Sequence, residues 1–327
     1  MSVASKMKLP FLSVVENDFD AVNQLILGSL SSHVPLVEEI SNYLIEAGGK
    51  RLRPILVLLS AKACDYQQDQ HISLAAIIEF LHTAMLLHDD VVDASDLRRG
   101  RKTVNSAWGN PASVLVGDFL HSRAFEMMVE IGDMKVMQIL SHATNTIAEG
   151  EVQQLTNIRN PHVTEADYLE VISRKTAMLF EAASHSGAVL AHGTLEQQTA
   201  LQAYGLHLGR AFQLVDDVLD YKGAADDMGK NIGDDLAEGK ATLPLIVAMR
   251  DGEPDQADFV RQAILNGGVE NLDRIAQIVD AAGGLKYTSE LAAKETQAAI
   301  DSLALLPDSP YKKAMLDLAD FSISRNH

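Results

Sequence analysis

Two short stretches of this sequence hold carboxylates at helical spacing: Asp89-Asp90-Val91-Val92-Asp93 and Asp216-Asp217-Val218-Leu219-Asp220. Residues i and i+4 share a helix face, so Asp89 and Asp93 point the same way. Asp90 sits about 100° around. His82 lies two turns before Asp89 on that same face. In the second stretch Gln213, Asp216 and Asp220 form one polar stripe, while Phe212, Val215 and Leu219 form an apolar one. Like charges at i,i+4 destabilise a helix, and carboxylates in apolar helices are costly unless paired or metal-bound. One such cluster alone reads most simply as a solvated acidic turn. Two of them in strongly apolar helices require a counter-charge, and oxygen-only ligands suit Mg²⁺ or another hard cation. The calcium-loop pattern with its central glycine is absent.

The cations are clustered as well. Lys50, Arg51 and Arg53 follow Gly48-Gly49, and Arg98, Arg99, Arg101 and Lys102 come just after the first acidic stretch. Lys175, Lys230 and Lys240 recur near polar loops. Any one of these is an ordinary surface charge. A group of them beside a metal-binding acid cluster is what a polyphosphate needs. Aspartates and a diphosphate repel each other in a site of low dielectric, and divalent ions bridging the two reverse the sign. Arginine holds phosphate in a fork, and lysine acts as a point charge.

The elements that position these groups read as helices. Leu74, Ile77, Ile78, Leu81, Ala84 and Met85 recur in steps of three and four, predicting a helix over 72–93. Residues 127–140 and 201–221 repeat the pattern, and Asn110-Pro111 reads as an N-cap followed by proline. No Asn-Gly hairpin signal stands out, so the expectation is all-α, in a single large helical domain. Glu149, Glu151, Gln153 and Gln154 form a further polar stripe, suited to solvent or to support of the site. Gly229, Gly233 and Gly239 make residues 222–240 a candidate lid, or simply serve turns.

With 327 residues the length allows about two domains. No Pro/Gly/Ser-rich linker divides the chain, so one domain over 1–327 is expected, with about the first 20 residues as an extension. Hydrophobic residues make up 47%, which excludes disorder as the main state. The net charge of −18 argues against a broad nucleic-acid face. The single cysteine, Cys64, excludes an internal disulfide and a cysteine-rich zinc site, and reads as a small buried hydrophobe. No targeting or transmembrane segment is evident, so a cytoplasmic protein is expected.

Four motifs in order, GGKRLRP at 48–54, LLHDDVVDASDLRRGRKT at 86–103, GRAFQLVDDVLDYKG at 209–223 and GKNIGDDLAEGKATLPL at 229–245, resemble the trans-isoprenyl diphosphate synthases, in particular their long-chain polyprenyl branch. The resemblance runs from about residue 20 and is weakest after 250. It implies a single large helical bundle around a central active-site cavity, head-to-tail condensation of isopentenyl diphosphate onto an allylic diphosphate such as farnesyl diphosphate, three Mg²⁺ ions with diphosphate bound, and a homodimer. Asp89 and Asp93 would bind two ions with Asp90 in support. Asp216 would bind the third, helped by Asp217 and Asp220. Arg98, Lys175, Thr176, Gln213, Lys230 and Lys240 would hold the allylic diphosphate. Lys50, Arg53, His82 and Arg99 would hold isopentenyl diphosphate. The catalytic set would be Asp89, Asp93, Asp216, Lys175 and Lys230.

Small or flexible residues upstream of the first aspartates would let the product lengthen. Ala84 and Met85 stand there, with Leu81, Ile78, Ile77 and Leu74 farther on. Leu74 is about 22 Å from Asp89 along a helix axis, so a product beyond C20 is expected. Eight isoprene units, a C40 product for a quinone side chain, come from the resemblance. The competing readings are a geranylgeranyl or other chain-length synthase, a class I terpene cyclase and a non-catalytic partner subunit. Ala84 counts against the geranylgeranyl synthase, Lys50, Arg53 and the second aspartate stretch against the cyclase, and the intact metal motifs against the non-catalytic subunit.

Overall fold

Apolar residues at three- and four-residue steps build helices over most of the chain, and the protein is all-α. The computed structural model describes residues 9–46, 48–222 and 233–324. Lys230 and Gly229 lie outside these residues. The helices are α1 (Glu16–Ser29), α2 (Pro35–Glu46), α3 (Leu52–Ala63), α4 (Gln70–Val92), α5 (Val104–Trp108), α6 (Asn110–Ile131), α7 (Met134–Asn157), α8 (Glu165–Ile172), α9 (Met178–Leu190) and α10 (Leu195–Lys222). They continue as α11 (Asp234–Ala237), α12 (Leu243–Asp251), α13 (Pro254–Asn266), α14 (Leu272–Ala281), α15 (Gly284–Ser302) and α16 (Pro310–Ser324). A π turn, Ser173–Ala177, joins α8 to α9.

Two local readings are corrected. The connection after α4 holds a small antiparallel hairpin, β1 (Leu97–Arg98) paired with β2 (Arg101–Lys102). Its turn residues Arg99 and Gly100 both have positive φ, 55° and 73°. A tight primed turn needs positive φ at both central residues, and here arginine occupies the place asparagine usually takes. The cap of α6 is Gly109, φ 87°, and Asn110 is already helical.

The chain divides into two compact units. Unit 1 holds the described residues up to Thr144, with Leu179–Gly205 and Ser302–Leu318. Unit 2 holds Asn145–Met178, the described part of Leu206–Asp301 and the described residues from Ala319 to Ser324.

In unit 1, Ile55, Leu56, Val57, Leu58 and Leu59 of α3 are all fully buried. A helix apolar all round belongs in a core. Helix α4 is long and apolar enough to cross a membrane by composition, but it packs against α1, α3 and α6. Cys64 is half-buried, and burial pushes its thiol up to about 11. Close helix contact in this unit requires Gly205, where an added Cβ would stand 2.5 Å from the Phe180 carbonyl oxygen. Gly205→Ala is expected to lower stability by about 2 kcal/mol, since overpacking must be relieved by backbone shifts. Urea unfolding measures it, and an unchanged midpoint would refute the close-contact reading.

In unit 2, α12 is buried from Leu243 to Met249 and packs on α13 and α14. Helix α8 begins with a capping box: the Thr164 Oγ1 accepts from the Asp167 N–H at 3.2 Å, and the Asp167 carboxylate accepts from the Thr164 N–H at 3.0 Å. The cap fixes the first turn of α8 and with it Tyr168. Gly233 and Gly239, the described members of the glycine set, have φ of 78° and 79°. Gly239 lies against Arg159, whose N–H donates to its carbonyl at 2.8 Å.

Candidate active site

The C-terminal end of α4 carries the first aspartates. Asp89 and Asp93 are half-buried, and the Asp93 N–H donates to the Asp89 carbonyl at 2.8 Å. Asp90 is 3% exposed. A buried carboxylate needs a partner. The hairpin supplies it: Arg98 donates to Asp90 Oδ1 from Nε at 2.8 Å and from Nη2 at 2.7 Å. Asn105 Nδ2 and the Ser95 N–H both donate to the Asp90 carbonyl at 3.0 Å. Asp90 therefore anchors the hairpin.

The turn of that hairpin directs Arg99 to the loop before α3. A Cβ on Gly49 would stand 2.5 Å from Arg99 Nη1, and the φ of 151° at this position favours glycine. Arg53 lies with its guanidinium 4.3 Å from the Phe180 ring centre and its Nη1 3.1 Å from His82 Nε2. Arginine can only donate, so His82 accepts and is neutral at that nitrogen. Burial first, then the charges of Arg53, Arg99 and Arg98, hold His82 well below the usual histidine range. The structure thus groups Arg53, His82, Arg98 and Arg99. Lys50 is on the exposed loop. A cavity of ≈ 70 Å³ beside them is lined by Thr83, Leu86 and Leu87 of α4, Tyr43, Arg98 and Thr103.

Leu74, Ile77, Ile78 and Leu81 have no exposed surface, and Ala84 has 1%. Met85 is half-buried. At 100° per residue Met85 shares the Asp89 face, while Ala84 lies about 140° around from it.

In unit 2, α10 carries the second aspartates. Asp217 is 1% exposed and accepts from the Tyr168 hydroxyl at 2.5 Å and from Gln213 Nε2 at 2.8 Å. Gln213 Oε1 in turn accepts from Thr176 Oγ1 at 3.0 Å. Burial first, then the neighbouring charge of Asp235, pushes the Asp217 carboxyl well above the usual carboxylate range. Its hydrogen bonds from Tyr168 and Gln213 act the other way. Asp216 is half-buried and Asp220 buried. Lys175 stands on the π turn and donates to Glu151 Oε2 at 2.6 Å and to Gln154 Oε1 at 2.7 Å. Part of the polar stripe of α7 is therefore support. Lys240 pairs with Glu238. Among the described residues, no three Asp, Glu, His or Cys side chains converge into a preformed metal cage.

Sequence reasoning missed Tyr168 and Asp235. Tyr168 is 49 residues from Asp217 and carries no local signal. Asp235 was visible as an acidic pair with Asp234 in the fourth motif. Tyr168→Phe leaves a nearly fully buried carboxyl with one donor fewer, and is expected to lower stability by about 2 kcal/mol. Urea unfolding with an unchanged midpoint would show that the bond contributes nothing.

The model of the family described as polyprenyl synthetase matches residues 34–282. The octaprenyl diphosphate synthase of Haemophilus influenzae is 49% identical over 315 residues, covering 96% of each chain. The geranyl-diphosphate-specific all-trans-nonaprenyl-diphosphate synthase of Rhodobacter capsulatus is 47% identical over 324 residues, 99% of each. The crystal structure of a Caulobacter crescentus polyprenyl synthase complexed with calcium and isoprenyl diphosphate superposes with a TM-score of 0.94 at 45% identity, covering 97% of both chains. The chain belongs to the polyprenyl synthetase family and is a prenyltransferase enzyme.

Proposed function

We propose that this enzyme condenses isopentenyl diphosphate head-to-tail onto farnesyl diphosphate and stops at an all-trans octaprenyl (C40) diphosphate, the precursor of a quinone side chain. The strongest support is the grouping of Arg53, Arg98 and Arg99 around a neutral His82 close to Asp89 and Asp93. Such a group neutralises a diphosphate while leaving an apolar chain to the core.

The donor sets fit Mg²⁺. Asp89 and Asp93 sit one turn apart, as do Asp216 and Asp220, and all offer only oxygen. The middle residues Asp90 and Asp217 are held by protein donors and serve in support. Burial first, then the neighbouring acids Asp235 and Asp216, raise the Asp217 carboxyl, and a divalent ion beside them would offset the charge crowding. Three ions are proposed, with the missing ligands coming from the diphosphate. Bound magnesium would neutralise charge on the leaving diphosphate.

Arg98, Lys175, Gln213, Lys230 and Lys240 hold the allylic diphosphate and stabilise it as the allylic C–O bond ionises. Thr176 steadies Gln213. Lys50, Arg53, His82 and Arg99 hold isopentenyl diphosphate so that its double bond meets the allylic cation. No strong protein base stands out, and the released diphosphate is the proposed proton acceptor. Met85, with Leu81 and Ala84, governs product length. One synthase domain over 1–327 is the reading we keep, since no Pro/Gly/Ser-rich linker divides the chain. Leu115 and Val129 of α6, 66% and 68% exposed, give a homodimer an apolar face to bury. We place the enzyme in the cytoplasm, delivering its product to the membrane.

The purified chain with farnesyl diphosphate, labelled isopentenyl diphosphate and Mg²⁺ should give one dominant C40 product after dephosphorylation, abolished by EDTA. A dominant C20, C45 or C50 band would correct the length assignment. No incorporation by a folded, metal-supplied chain would overturn the synthase reading in favour of a cyclase or a partner-dependent subunit.

A further inference from the structure

A π turn is rare because each of its bonds spans one residue more than in an α-helix, and it persists where surrounding contacts determine it. The turn Ser173–Ala177 carries Lys175 and Thr176, and its i+5 bond runs from the Met178 N–H to the Ser173 carbonyl. On the α7 side, Gly150 makes room for it: a Cβ there would stand 2.8 Å from Arg174 Cβ and 2.9 Å from the Lys175 nitrogen. Its first residue is held from elsewhere. Ser173 Oγ donates to the Leu169 carbonyl at 2.5 Å and accepts from Arg210 Nε at 2.8 Å. Arg210 lies about one turn before Gln213 on α10, and its Nη1 is 3.8 Å from Glu295 Oε1 of α15. The other oxygen of Glu295 meets His207 Nδ1 at 2.6 Å. Glu295 is 15% exposed, so this acid is sheltered and paired with both bases.

We infer that Arg210 and Glu295 are positioning residues: through Ser173 they hold the π turn in the register that presents Lys175 and Thr176 to the allylic substrate. The inference rests on the allylic role proposed above for Lys175 and Thr176. It gives a function to the region after residue 282, where the family match ends. Glu295 aims and neutralises Arg210. Arg210 fixes the hydroxyl that opens the turn. The turn then carries Lys175 to Glu151 and Gln154, and Thr176 to Gln213.

The test is steady-state kinetics with each substrate varied, on Arg210→Met, Arg210→Lys, Ser173→Ala, Glu295→Gln and the double variant R210M/S173A, with Lys175→Ala as reference. Displacing a binding group by a fraction of its length costs on the order of 10-fold. R210M is expected to raise the allylic KM about 10-fold and to leave the isopentenyl KM within about twofold. R210K should restore part of the loss, and E295Q should fall between wild type and R210M. The double variant should be no worse than the worse single one, because both remove the same link. Allylic KM values within about twofold of wild type in folded R210M and S173A, or multiplying effects in the double variant, would overturn the inference. A uniform loss for both substrates that tracks lowered stability would do the same, since that is a purely structural role. An unchanged allylic KM in K175A would instead overturn the assignment of Lys175, and this inference with it. If R210M does not fold, S173A and E295Q carry the same comparison.

Discussion

Asp89→Asn is expected to reduce kcat by about 10³-fold while the helical circular dichroism spectrum is retained. That factor corresponds to about 4 kcal/mol of lost transition-state stabilisation, within what a polarising metal ion supplies to a leaving group. Asparagine keeps the shape of the side chain and one oxygen but removes the charge. The cost therefore falls on cation binding rather than on packing, because Asp89 is only half-buried at the end of α4. Titrating Mg²⁺ against the variant should move the half-saturating concentration upward. A variant within about tenfold of wild-type kcat, with an unshifted Mg²⁺ requirement, would remove Asp89 from the proposed metal site.

The second large effect is on stability, and it comes from the neighbouring residue. Arg98→Met is expected to cost about 3 kcal/mol, because it leaves the Asp90 carboxylate buried without its charged partner. The side chain of Asp90 is 5% exposed and that of Arg98 26%, so the two halves of the pair are unequal. Arg98 can turn to water when Asp90 is removed, whereas Asp90 cannot. Asp90→Asn should therefore cost less than R98M, and the double variant less than the sum of the singles. Urea unfolding of the four proteins measures this cycle. Equal costs for the two single variants, or strict additivity, would show that Asp90 does not depend on Arg98. R98M should also lose activity, since the same side chain is proposed to hold the allylic diphosphate. A conservative Arg98→Lys separates the roles, keeping a charge near Asp90 without the fork.

Much of the site was legible because its chemistry is local. The spacing of Asp89 with Asp93 and of Asp216 with Asp220 places each pair on one helix face before any tertiary contact is known. The apolar stripe of Leu74, Ile77, Ile78 and Leu81 marked α4 as a core helix, and all four are fully buried. The clustering of Arg98 and Arg99 beside Asp90 was equally visible. Their division of labour was not. Both stand in a hairpin whose turn places an arginine at positive φ, so sequence pattern registered only a break between helices.

Residue type, spacing and net charge thus determined by themselves that this chain is helical, acidic and armed with two carboxylate clusters and grouped cations. Those properties depend on neighbours within a turn or two. Tertiary structure alone decided which aspartates are committed to the protein. Asp90 is engaged by Arg98 of the hairpin and Asp217 by Tyr168 from 49 residues away; the same packing pairs Lys175 of the π turn with Glu151 of α7. The physical reason is burial: a carboxylate taken out of water must find donors within hydrogen-bonding distance, and only the packed chain determines which donors those are.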